Sequence, residues 1–146
     1  MAILLTRWVL GLIFMMAGYW KVFVLGAGTH AADFFVAPYA DSWIPEWLLW
    51  ASGVAIPFIE LVAGAALLVG VGVDAACYAL AAVLVTVTYG HLLSEPLYDF
   101  TAHVIPRLAL MLVVLFTPAR WDRFRLSRLW AGTGSKMPVA GSGKEP

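Results

Sequence analysis

The chain has 146 residues, 62% of them hydrophobic and 12% charged, with nine basic and nine acidic side chains and no formal net charge. A water-soluble fold of this size has no interior large enough for that much apolar surface, and the neutral balance gives nucleic acid no footprint as a partner. The single cysteine, Cys77, excludes a disulfide framework, a CxxC redox pair and a Cys-rich metal site.

A helix that crosses a bilayer needs about 20 mostly apolar residues, since each adds about 1.5 Å across a core of about 30 Å. The first such stretch covers 3–25. It resembles a signal peptide in its short leader and Arg7, but the apolar run continues past Tyr19, and Gly18, Trp20 and Lys21 fit a retained helix. A polar and aromatic stretch follows at 26–46, with Asp33, Asp41 and Glu46 beside Pro38 and Pro45. It is too long for a tight turn and is expected to have structure of its own. The second span covers 47–73 and the third 75–93, so close together that they must form an antiparallel hairpin. After a loop at 94–102 carrying Glu95, Pro96 and Asp99 comes a short fourth span at 103–117.

Basic residues collect on the cytoplasmic side of membrane proteins. Arg7 precedes the first span, Arg120, Arg123, Arg125 and Arg128 follow the fourth, and both long loops are mainly acidic. The expected fold is therefore an all-α four-helix bundle, multi-pass in the cell inner membrane, with both termini cytoplasmic. Residues 1–119 form the transmembrane domain and 120–146 a basic, then disordered, tail. Trp20, Trp43, Trp47 and Trp50 fall on the outer boundary, where amphipathic rings settle.

Ionisable residues inside spans are expensive, at roughly 2.5–3.5 kcal/mol each on insertion scales, and face the bundle interior. Counting rise from the cytoplasmic ends places Lys21, Glu60, His91 and Arg107, one from each span, at about 18–24 Å. Thr88, Tyr89 and His103 lie near the same depth. Gly11, Gly18 and Lys21 share one side of the first helix, and Gly53, Pro57, Glu60 and Gly64 one side of the second. Small residues there let the helices approach closely. Pro57 has no backbone N–H, which leaves the Gly53 carbonyl for another donor.

This cluster has three readings. It can be an ion-pair network that fixes helix register, with Glu60 neutralised by Lys21 or Arg107 and Lys21 able to snorkel outward. It can be an outer pocket for a lipid-soluble molecule such as a quinone, with His91 or Glu60 exchanging protons and Arg107 or Tyr89 donating hydrogen bonds. It can ligate haem through His91 and His103. Elsewhere the simpler readings hold: Met15 and Met16 as packing, His30 as a solvated loop residue, Cys77 as a small buried hydrophobe.

Arg7 opening a span that ends Gly18-Tyr19-Trp20-Lys21, and Glu60-Leu61-Val62-Ala63-Gly64 running on to Leu67, Leu68 and Gly70, resemble the DoxX family of small four-helix membrane proteins over about residues 4–116. The resemblance implies membrane location and association with oxidoreductase systems, including a thiosulfate:quinone oxidoreductase, and implies no catalytic residue. The residues themselves offer no nucleotide-binding loop, metal-ligand cluster or nucleophile–base pair. The expected function is a membrane subunit or anchor near the quinone pool, with a redox protein or a second copy of the chain as partner. The alternative is a self-contained binder or carrier, though the lack of an inverted repeat argues against a transporter.

Overall fold

The computed structural model describes residues 2–95, 101–102, 104–118 and 121–122, and every regular element among them is helical. Helix α1, Ala2–Tyr19, continues without a break into a π-helical turn, Trp20–Val24, giving a span of 23 residues. Gly26, at φ 89°, turns the chain back. The polar stretch then folds as helix α2, Ala27–Ala31, a second π-helical turn, Ala32–Val36, and a 3₁₀ turn, Ala37–Tyr39. Helix α3, Glu46–Val69, begins behind Pro45 with Glu46 in its first turn, where the helix dipole favours a negative charge. Helices α4, Val73–Ser94, and α5, Val104–Phe116, complete the described elements.

Helices α1, α3 and α4 are long and apolar enough to cross a membrane. Helix α5 has 13 residues and at about 1.5 Å per residue falls short of the hydrocarbon thickness on its own. The described protein is thus a helical multi-pass membrane protein with three full-length spans and one short apolar helix. Arg120, Arg123, Arg125, Arg128 and the rest of the expected tail beyond Asp122 lie outside the described residues, as do Pro96, Asp99 and His103.

The turn between the second and third spans is three residues, 70–72, longer than the single residue the apolar pattern leaves between them. Gly70, at φ 82°, closes α3: its N–H and that of Val71 both donate to the Ala66 carbonyl, at 2.8 and 3.0 Å. Helix α3 therefore stops at Val69 rather than at 73, and α4 starts at Val73 rather than at 75. Hydropathy does not register the left-handed conformation that ends the helix.

The broadest contact is between α1 and α3, which run antiparallel. A Cβ on Gly18 would stand 2.5 Å from the Leu61 nitrogen and 2.6 Å from the Pro57 oxygen, one on Gly11 would stand 2.9 Å from the Gly64 oxygen, and one on Gly64 would strike the Met15 backbone. The glycine faces anticipated from spacing are thus the seam along which the two backbones touch. Leu10, Phe14, Ala63 and Leu67 continue the seam into a core with Leu80 of α4 and Met111 and Val114 of α5. The outward faces, including Val62, Val85 and Phe116, are left to lipid.

A buried ion pair that sequence reading did not foresee closes the hairpin end of the bundle. Arg7, 1% exposed, holds Asp122, 3% exposed, at 2.6 Å. Arg7 is therefore more than a topology signal, since it anchors the segment that follows α5. Its neighbour Trp8 donates from Nε1 to the Leu68 carbonyl at 3.2 Å, tying the same turn of α1 to α3.

Because backbone atoms of α3 cannot yield, Gly18→Ala is expected to cost about 1–3 kcal/mol. Gly28→Ala, where an added Cβ meets nothing within 4 Å, should change stability by no more than about 0.5 kcal/mol. Unfolding in mixed detergent micelles checks both, and equal stability of the two variants contradicts the backbone seam.

Candidate functional site

Two of the charges that spacing placed at one depth pair directly. Lys21 sits in the π-helical turn that extends α1, and its Nζ lies 2.7 Å from Glu60 Oε2. Glu60 is 5% exposed, and the Lys21 side chain is 23% exposed. Lys21 thus turns inward to Glu60 instead of snorkelling away, because Gly18, one turn earlier, brings α1 against α3 just below the pair. Glu60, Lys21, Thr88, His91 and Arg107 all line a cavity of about 280 Å³ among α1, α3, α4 and α5. His103 lies outside the described residues, so its place in the cluster and the His91–His103 haem reading have no geometry to rest on.

A second cavity, of about 380 Å³, adjoins the first and shares Lys21, Val87 and His91 with it. Trp20, Lys21 and Ile56 lie on the side of the ion pair, Leu48, Leu49 and Ser52 come from the first turns of α3, and Thr86, Tyr89 and His91 from α4. The stretch between the first two spans covers it with Phe34, Phe35, Tyr39, Trp43 and Ile44. Tyr39 reaches across to α4, where a Cβ on Gly90 would stand 3.2 Å from its hydroxyl. The two π-helical turns supply Trp20 and Lys21 on one side and Phe34 and Phe35 on the other, and such turns recur at functional sites because they re-aim side chains.

His30 is the largest departure from the sequence reading, which left it solvated. It is 5% exposed, and its Nδ1 donates to the Gly53 carbonyl at 2.8 Å. That carbonyl is the one expected to lack its helical donor because of Pro57. Gly53 also lets α2 lie directly on α3, since a Cβ there would stand 2.6 Å from the Ala31 Cα. Phe34 stacks on the imidazole with centroids 5.4 Å apart, and Phe35 flanks it at 5.5 Å. Burial pushes His30 below its ordinary value of 6.5; the hydrogen bond to Gly53 opposes that shift, the Lys21 charge adds to it and the Glu60 charge opposes it.

The expected cluster therefore divides. Lys21, Glu60, His91 and Arg107 share the inner cavity, while Tyr89, half-exposed, belongs to the aromatic one with Lys21 and His91. Sequence reading missed His30, Tyr39 and the aromatic cover. The one available signal was the carbonyl orphaned by Pro57, which announced a donor without naming it. Cys77 is buried in the core, as expected of a small hydrophobe. No group of three metal-binding side chains occurs among the described residues.

The model of the family described as methylamine utilisation protein MauE matches residues 1–94. The chain belongs to the MauE family. The matched stretch contains α1, the helical insert, α3 and α4, and so every residue that lines the aromatic cavity of this MauE-family protein; Arg107 of the inner cavity lies beyond it. Membership in a small membrane-protein family agrees with the sequence reading, but the match is to MauE, and the DoxX resemblance gains no support from it. No curated protein and no solved structure matches the chain.

Two outcomes follow from the site chemistry. Lys21→Met strips the partner from a buried carboxylate and should cost about 3–5 kcal/mol, whereas Glu60→Gln, whose amide oxygen still accepts from the ammonium, should cost much less. Equal unfolding midpoints for the two variants in detergent would contradict the pairing. An imidazole held below its unfolded value stabilises fully above about pH 6.5, and that contribution is lost as pH falls through the lower folded value. Wild type should therefore lose more thermal stability between about pH 7.5 and 5 than His30→Phe, a difference read from paired melting curves.

Proposed function

We propose that this chain is a non-catalytic membrane subunit or anchor of an oxidoreductase system, holding the ring of a quinone-class lipid-soluble molecule beside its redox partner. The observation that carries this reading is the aromatic cavity. Its volume of about 380 Å³ lies within the usual range of small-molecule sites, about 300–1,000 Å³. Flat aromatic walls suit a ring, and Tyr39, Tyr89, His30 and His91 supply hydrogen-bonding groups around it. Glu60 neutralises Lys21 at the cavity edge, so an uncharged ring meets no bare ion.

In the proposed topology α5, extended by its flanking residues, is the fourth span, and both termini are cytoplasmic in the inner membrane. Residues 1–119 then form the membrane domain and 120–146 the tail. This orientation puts the cavity at the outer face, where exposed Trp43, Trp47 and Trp50 suit the aromatic boundary layer. The exposed rings of Phe34 and Trp43 on the cover offer the redox partner a surface. The family's name supports a redox setting, because using a methylamine means oxidising its carbon and passing the electrons on. The DoxX resemblance points the same way.

A second reading, a self-contained binder or carrier, is favoured by one observation: the cavity is built from residues 20–91 of a single chain. Native mass spectrometry after gentle extraction separates the two. A co-purifying redox protein supports the subunit, a lone chain retaining a quinone or related lipid supports the binder, and an empty lone chain removes the cavity from both. Gly90→Leu, which drives a side chain toward the Tyr39 hydroxyl, is expected to cut retained ligand about tenfold, the equivalent of about 1.4 kcal/mol.

A further inference from the structure

Helix α3 lacks a donor at the point where α2 crosses it. In an unbroken helix residue 57 would donate its N–H to the Gly53 carbonyl; Pro57 has none, and both residues are buried. His30 supplies the missing donor from 2.8 Å. A carbonyl oxygen can only accept, so the proton in this bond belongs to the imidazole Nδ1. In a neutral ring Nε2 then carries no proton and is an acceptor. The tautomer of His30 is thus set by a proline in another helix. The ring is also fixed in place, stacked on Phe34 and carried by a helix whose Ala31 backbone touches Gly53.

His30 lines the aromatic cavity, and with Nδ1 engaged, Nε2 is the polar atom its ring has left to offer a ligand. We infer that the cavity prefers the reduced, hydroxyl-bearing form of its ring ligand, a hydroquinone or phenol, over the oxidised quinone, with the ligand O–H donating to His30 Nε2. A quinone oxygen has only lone pairs and would leave two buried acceptors facing each other. The Tyr39 and Tyr89 hydroxyls both donate and accept, so they serve either form. Lys21 directs one of its three N–H groups to Glu60 at 2.7 Å, and the others serve either form, since a phenol oxygen accepts as a quinone oxygen does. The preference rests on the cavity being a ring-binding site, as proposed above. It is a difference in binding and involves no electron transfer.

The test uses the full chain in lipid nanodiscs under argon. Calorimetry compares 2,3-dimethoxy-5-methylhydroquinone with the corresponding benzoquinone, and 4-ethylphenol with its methyl ether, a pair that cannot interconvert. Each hydroxyl-bearing compound should bind about five- to tenfold more tightly than its partner, the worth of one neutral hydrogen bond. His30→Phe should abolish the difference. Should that variant not fold, ¹⁵N spectra of the histidine side chains in wild type decide: His30 should show a protonated Nδ1 and a bare Nε2 whose resonance moves on adding 4-ethylphenol. Equal binding within both pairs, or a proton on Nε2, overturns the preference while leaving the ring site intact. If none of the four compounds binds, the ring site itself is wrong and the preference goes with it.

Discussion

The approach of α1 to α3 at backbone distance determines where everything else in the bundle lies. With Gly11 and Gly18 on one helix and Gly64 on the other, the two backbones touch over about two turns. Without a hydrophobic driving force between helices in lipid, such packing is one of the few sources of association. It also brings a basic residue on α1 and an acidic one on α3 together at hydrogen-bond distance. Had either helix carried a larger residue on this face, the lysine and the glutamate would each have to find water or another partner.

The region above the ion pair follows from the same geometry. Helix α3 continues beyond the seam toward its own first turn, while α1 loosens into a π-helical turn and the chain folds back as α2. That fold-back covers a gap between α3 and α4 which α1 no longer fills. The cavity is thus where a close-packed pair of helices diverges, with an aromatic segment drawn across the opening. Its polar groups come from five separate elements, and its apolar walls are shared between the core helices and the insert that covers it.

Much of this was legible in the sequence, and the failures have identifiable physical causes. The positions of the three long spans, the hairpin, the small-residue faces and a basic partner for Glu60, either Lys21 or Arg107, all follow from helical rise and angular period, which a sequence states directly. The free carbonyl at Gly53 was legible too, because proline chemistry is local. Its partner was not: His30 lies in a short helix with no apolar period, among residues that read as loop, and only tertiary contact buries it. Asp122 was hidden for a related reason, since it follows a short helix and stands among arginines that suggest a solvated tail. Tyr39 covering Gly90 depends on the path of the insert, for which no local rule exists.

The ion pair between Arg7 and Asp122 also bears on how the molecule is assembled. Its two members are separated by 115 positions, so the arginine emerges from the ribosome long before its carboxylate exists. At synthesis rates of about 5–20 residues per second, that wait lasts on the order of ten seconds. Until then a guanidinium without its carboxylate is costly to bury, so polar surroundings are its more stable place. Arrival of the aspartate then allows the arginine to be buried. One side chain thereby makes the first helix wait on residues that follow the last described one before it can pack fully.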